Sequence, residues 1–180
     1  MREAIVALAG RRIDAPDDKT PRFPLENVKA VRERIRGVLK GRRALVCSAA
    51  CGADLIALEQ ASAEGMRRRV VLPFPKEHFR ETSVVDRPGD WGSLFDQIIE
   101  EVERSGELVV LPSKPDDEDA YAKASAEILE QAARLETADL PGVLAVVVWD
   151  GASRGPDDLT AAFLHGAKQG GYATVEVATS

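Results

Sequence analysis

Three short segments carry residues whose types and spacing suit a phosphate-bearing ligand. The first, Ser48-Ala49-Ala50-Cys51-Gly52-Ala53-Asp54, is built almost wholly of small residues and ends in an acid. Small residues let a ligand approach the backbone, and a helix opened by such a segment offers free N–H groups and a positive dipole to an anion. The second, Gly10-Arg11-Arg12, sets two guanidinium forks behind a glycine. Such a pair suits phosphate or carboxylate, with a solvated surface pair as the alternative. The third, Asp150-Gly151-Ala152-Ser153-Arg154-Gly155, ends an apolar run in an acid. An acid placed there needs a partner. The residues expected to face a ligand are Gly10, Arg11, Arg12, Ser48, Ala49, Gly52, Ala53, Asp54, Pro73, Asp150, Gly151, Arg154 and Thr160.

Other residue groups carry less. The Ser48–Asp54 segment lacks G-x-G-x-x-G and the Walker lysine, so a tight strand-to-helix turn packed with small residues is its alternative reading. Cys47 and Cys51 stand at C-x3-C with no second Cys/His pair nearby to complete a zinc site, and no metal site is expected. Cys51 is either a packed small residue or a thiol of lowered pKa at a helix start. His78 and His165 have no nucleophile near them in sequence and read as surface or packing residues. Glu59 lies five positions after Asp54, well around the helix, so the two do not form a facing pair. Glu59 and Asp150 are nevertheless the acids with the right chemistry for catalysis. Phe74 and Trp91 either stack on a base or pack under a loop. Arg67-Arg68-Arg69 reads as a solvated turn.

Positioning these segments requires alternating strands and helices. Apolar, β-branched runs at Glu3–Leu8, Ala44–Cys47, Arg69–Leu72, Glu107–Leu111, Val143–Trp149 and Thr174–Val177 read as strands. The central ones are continuously apolar, as strands covered on both faces must be. Between them run helical stripes: Val28, Val31, Ile35, Val38 and Leu39; Leu55 and Leu58; Leu94, Phe95, Ile98, Ile99 and Val102; Tyr121, Ala124, Ile128, Leu129, Ala132 and Leu135; and Leu159, Ala162, Phe163 and Ala167. The alternation implies one Rossmann-like α/β domain over 1–180, with a mostly parallel, doubly wound sheet of about six strands. In such a sheet, ligands bind beyond the carboxyl ends of the strands, where all three chemical segments fall. Two connections are long, Ala9–Phe23 and Pro73–Asp90. The second, with a short helix at Lys76–Arg80 and with Arg80, Arg87 and Gly89, reads as a lid.

Bulk properties narrow the classes. The chain has 180 residues, 44% hydrophobic and 30% charged, which argues against disorder. A net charge of −6 weighs against nucleic acid as a partner. No apolar run approaches a membrane span, and the start shows no signal-peptide pattern. Reduced-looking cysteines and the lack of either pattern lead to the expectation of a cytoplasmic protein with no membrane partner.

Ser-Ala-Ala-Cys-Gly-Ala-Asp-Leu-Ile-Ala-Leu-Glu after a strand, followed by Val-Val-Leu-Pro-Phe, resembles the SLOG superfamily of Rossmann-like nucleotide and nucleotide-sugar binders. That superfamily includes the "lonely guy" phosphoribohydrolases, the DNA-processing protein A group and ligand-sensing modules of bacterial immune proteins. Ala-Gly-Arg-Arg-Ile-Asp-Ala-Pro and Val-Val-Trp-Asp-Gly with Thr-Ala-Ala-Phe look similar to uncharacterised bacterial members, so the resemblance runs from about Ile5 to Val177. The phosphoribohydrolases carry Pro-Gly-Gly-x-Gly-Thr-x-x-Glu, with a catalytic final acid. Here Thr160 matches the threonine, but Phe163 stands at the glutamate position and Asp157 and Asp158 replace glycines. An apolar Phe163 cannot stabilise an oxocarbenium-like transition state, and the two aspartates read as caps or hydroxyl-binding groups.

The resemblance therefore implies a small-molecule nucleotide partner, an ADP-ribose or NAD-related species or a nucleoside monophosphate. The protein is expected to bind it as a sensor or regulatory module with no cofactor required. Phosphate is expected at the Ser48–Asp54 helix start and the Arg11–Arg12 loop, and a ribose hydroxyl at Asp54 or Asp150. A homo-oligomer is in keeping with the resembling family. Two alternatives stand beside this: N-glycosidic hydrolysis of a nucleoside 5′-monophosphate with Glu59 or Asp150 as the acid, and a protein-interaction domain with a vestigial pocket.

Overall fold

The computed structural model describes residues 2–180. Its elements are β1 (Ile5–Gly10), α1 (Val28–Leu39, entered through a 3₁₀ turn at Leu25–Asn27), β2 (Ala44–Cys47), α2 (Ala53–Ala63), β3 (Arg67–Leu72), α3 (Lys76–Ser83), α4 (Gly92–Arg104), β4 (Leu108–Val110), α5 (Ala120–Leu135), β5 (Val143–Trp149), α6 (Leu159–Gln169) and β6 (Ala173–Ala178). The strands form one six-stranded sheet in the order β4-β3-β2-β1-β5-β6, parallel at every pairing. This is the Rossmann-like α/β fold that the alternation of periods predicts.

The two-residue period of a strand sorts the core into two layers. Val6, Leu8, Leu45, Cys47, Val70 and Val146 point to the face covered by α1, α2 and α4. Ile5, Ala7, Val46, Val71, Val147 and Trp149 point to the face covered by α5 and α6. Leu55, Ile56, Ala57 and Leu58 of α2 are all fully buried, because that helix is wedged between the sheet, α1 and α4. A helix so enclosed must be apolar all round, and α2 is.

The chain winds outward from β1 to β4, then returns through α5 to lay β5 on the other side of β1. The reversal leaves a crevice beyond the carboxyl ends of β1 and β5. Gly10 closes β1 opposite Val148, two residues further than the sequence pattern suggests.

The solvated turn expected at Arg67-Arg68-Arg69 is instead the first half of β3. Ion pairing makes it a strand: Arg67 and Arg69 both bond Glu107 and Arg68 bonds Glu101, while Arg69 also reaches Gln131. Phe74 and Trp91 are core residues, packed rather than offered to a base. Among the described residues, no helix is long and apolar enough to cross a membrane.

Candidate ligand-binding site

The crevice is stapled by a buried arginine. Arg11, only 3% exposed, follows β1 and reaches across to the β5–α6 connection. Its Nε donates to Asp150 Oδ1 at 2.9 Å, its two terminal nitrogens to the Asp158 carboxylate at 2.7 and 2.8 Å, and Nη2 also to the Ala152 carbonyl. Asp158 in turn caps α6, accepting from the backbone N–H groups of Thr160 and Ala161, and from that of Arg154. Burial works against ionising Asp158, but Arg11 and these N–H donors outweigh it and hold the pKa below the ordinary carboxylate value. Arg22 completes the staple by donating to Asp150 Oδ2 at 2.8 Å. Asp150 therefore has the partner its position demanded, and Arg11 spends its fork inside the protein.

The start of α2 is likewise closed by the chain itself. Gly52 has φ +101, and a Cβ there would lie 2.8 Å from the Arg11 carbonyl oxygen. Ala53 N–H donates to that same oxygen at 3.1 Å, Leu55 N–H to Ala50 and Ile56 N–H to Gly52. Ala53 also abuts Gly10, whose absent Cβ would sit 2.5 Å from that of Ala53. Phosphate thus finds no free donor at Ala53, Leu55 or Ile56, and the tight-turn reading describes Gly52 and Ala53. Ala49 is buried as well.

Beyond these staples two adjoining chambers open. The inner one, about 130 Å³, is walled by Ala9, Gly10, Ser48, Ala50, Asp54 and Pro73, by Phe79 and Ser83 of α3, and by Tyr121, Ala124, Ser125 and Ile128 of α5. The outer vestibule, about 550 Å³, is lined by Arg11, Lys19, Arg22, Arg87 and Arg154 together with Asp14, Asp18 and Thr20. Gly10, Arg12, Leu159 and Thr160 border both and form the throat between them.

Asp54 and Arg12 are the reactive groups here. Asp54 is only 7% exposed, and its Oδ2 accepts from the Ala50 N–H at 3.2 Å. Burial pushes its pKa up to about 7, against the weaker pull of the Ala50 N–H and Arg12. Arg12 bonds Asp86 through Nη2, while its Nε is buried without any hydrogen-bond partner. Arg87 pins the same segment by donating to the Ile13 carbonyl at 2.9 Å.

Several expected residues fall elsewhere. Glu59 lies outside both chambers and pairs with Arg32 of α1. Arg80 faces α4, where it pairs with Asp96, and lines neither chamber; Arg87 borders the vestibule. Gly151 is an exposed turn residue with φ +86. Cys51 is no activated thiol: burial raises its pKa despite Arg12, and Cys47 is raised further by full burial. Among the described residues, no three His, Cys, Asp or Glu side chains gather as a metal-holding group. The sequence reading missed Ser83, Tyr121 and Ser125. Their helices were legible, but nothing local shows that α5 crosses the sheet to wall a pocket at β1.

No family model matches the chain, and no curated protein does. Among solved structures, DNA processing protein A from Streptococcus pneumoniae is similar at a TM-score of 0.35 and 16% identity, over 97% of this chain and 59% of that one. The chain thus spans less than two thirds of the length of that protein.

Proposed function

We propose that this protein binds a nucleotide or nucleotide-derived ligand at the carboxyl edge of the sheet and acts as a sensor or regulatory module. Arg12 carries this reading. It stands in the throat between a ring-sized chamber and a vestibule lined by six cationic side chains and two carboxylates, Asp14 and Asp18, and it keeps a buried Nε without a partner. A phosphate in the throat meets the Arg12 guanidinium, while the inner chamber takes a ring. The resemblance of Ser48–Asp54 and its neighbours to the SLOG superfamily supports the same ligand class.

A thermal-shift screen of nucleoside monophosphates, ADP-ribose and NAD tests it. A ligand at about 100 times its Kd adds roughly 2.7 kcal/mol, a rise of about 5–10 °C for a domain of this size. Arg12→Ala should abolish the rise. A flat response across the panel overturns the proposal.

One observation favours hydrolysis as a second reading. Asp54, with its pKa near 7 and its place in the inner chamber, suits general acid–base work better than Glu59 or the clamped Asp150. Release of base from a nucleoside monophosphate, lost in Asp54→Asn, would establish it. Binding without turnover leaves the sensor.

A further inference from the structure

We propose that Arg12 is a two-position switch, shared by Asp86 on the strap between α3 and α4 and by the buried Asp54, and that turning it inward loosens the strap. This device belongs to the chain itself and does not depend on what occupies the crevice.

One cation stands between two carboxylates. Arg12 borders the inner chamber together with Asp54 and the vestibule together with Arg87. Its Nη2 donates to Asp86, while its Nε lies buried with no acceptor. Solvent does not reach that nitrogen, so only a group inside the protein can serve it. Asp54 is such a group: it is 7% exposed and accepts from the Ala50 N–H through one oxygen, Oδ2.

The two carboxylates make unequal claims. Arg12 and Asp86 are 27% and 32% exposed, and an ion pair so open to water contributes little. Asp54, once ionised, is a buried charge without a cation in contact, and there the same attraction is much stronger. While protonated it makes no such claim, and Asp86 keeps the guanidinium. Burial lifts the Asp54 pKa to about 7, so its proton is exchanged near neutrality. The other groups around Asp54 do not compete. Burial pushes the Cys47 and Cys51 thiols up, and the Tyr121 hydroxyl is taken by Thr82 and Ser83. The neighbouring cation, Arg11, is committed to Asp150 and Asp158. From α3 and α6 only the uncharged Phe79, Ser83, Leu159 and Thr160 reach the chamber.

The strap can give way at one place. Val84 is buried and its N–H closes α3 on the Arg80 carbonyl. At the far end the Trp91 indole donates to the Pro88 carbonyl at 2.8 Å and packs against Gly89, where a Cβ would lie 2.3 Å from Nε1. Between these anchors Val85 is 45% exposed, and two side chains tie the strap to the segment after β1: Asp86 to Arg12, and Arg87 to the Ile13 carbonyl. When Arg12 turns inward, Asp86 keeps Arg87, whose Nε is 3.7 Å away, and Arg87 stays pinned. The movement is therefore confined to Val85 and Asp86.

An NMR titration of the whole protein from about pH 5.5 to 8.5, following the Asp54 carboxyl carbon and the Val85 and Asp86 amides, tests this. All three should move with one midpoint. Asp54→Asn should hold the two amides at their low-pH positions throughout. That variant also separates Asp54 from His78 of α3, because histidines titrate in the same range. Asp86→Asn removes the competitor and should lower the Asp54 midpoint by about half a unit or more, whereas Arg12→Gln should raise it and abolish the strap's response. If Asp54 titrates while Val85 and Asp86 stay still, or if they still move in Asp54→Asn, the switch is overturned. It is overturned too if Asp54 does not titrate in this range, or if Asp86→Asn leaves its midpoint in place.

Discussion

Asp54 and Asp158 lie on neighbouring walls of one crevice, yet their surroundings drive them in opposite directions. Asp54 has one backbone donor and no counter-ion in contact, so burial dominates and its pKa rises from 3.8 to about 7. Between about pH 4 and pH 7 the folded protein holds a proton there that the unfolded chain has lost. Its contribution to stability therefore falls as pH rises through that window and is level above it. About three units at 1.36 kcal/mol each make the cost on the order of 4 kcal/mol at pH 8. Asp54→Asn should consequently raise Tm by several degrees at pH 8 and change it little at pH 4. Parallel pH profiles for the two proteins would refute this. Asp158 behaves inversely. Its pKa is depressed, so its stabilisation is present above about pH 4 and is lost as pH falls through the lower folded value. Asp158→Asn leaves the buried Arg11 with one carboxylate, Asp150, beside the Ala152 carbonyl. It should cost roughly 3–5 kcal/mol at pH 7 by urea denaturation, with the gap narrowing in acid.

At the scale of elements, the contact between the β2–α2 turn and the segment after β1 sets the crevice. Gly52 sits at φ +101 with its Cα pressed against the backbone of Arg11–Ile13, whereas Gly65, after α2, has φ +69 and nothing within 4 Å of its absent Cβ. Both positions lie in the left-handed region, so each Ala substitution carries backbone strain of about 1 kcal/mol or more. Only Gly52→Ala adds a collision, and it should cost at least 2 kcal/mol beyond Gly65→Ala while also weakening ligand binding. Equal urea midpoints for the two variants would show that the close approach is not tight.

The same scale shows what could be read from the residues alone. All six strands and the helices between them were legible, because a buried parallel sheet demands apolar runs and its covering helices demand stripes. The Arg67-Arg68-Arg69 run was not, since a charge cluster reads as solvated until Glu101 and Glu107 come alongside. Arg12 and Asp54 stood out as residues. That Arg11 would be consumed by Asp150 and Asp158, 139 and 147 positions away, has no local signature.

Taken whole, the molecule is two helical layers separated by a sheet, and at the inner chamber both layers meet. Ser83 of α3 belongs to the layer of α2 and α4; Tyr121 and Ser125 of α5 belong to the opposite layer. At the carboxyl edge they join through the Tyr121 hydroxyl to Thr82 and Ser83. A ligand seated between them ties the layers together at that edge, and it also touches the 11–22 segment through Arg12. Segments far apart in sequence should therefore gain protection together. With saturating AMP, amide exchange should slow in residues 11–22, in 79–87 and in the first turns of α5, while β4 and the outer face of α4 stay unchanged. The net charge of −6 bears on the same experiment. Six cations line the vestibule, but Asp86, Asp150 and Asp158 partner Arg12, Arg22 and Arg11, and Asp14 and Asp18 share the lining. The local excess of positive charge is thus small. Affinity should come from short, directed bonds to Arg12 and not from a long-range field, and exposed, distant charges are the ones that salt screens. Raising salt from 50 to 200 mM should then weaken AMP by only a few fold while leaving the pattern of exchange protection intact. A steep loss of affinity would show that the vestibule acts as a diffuse basic patch.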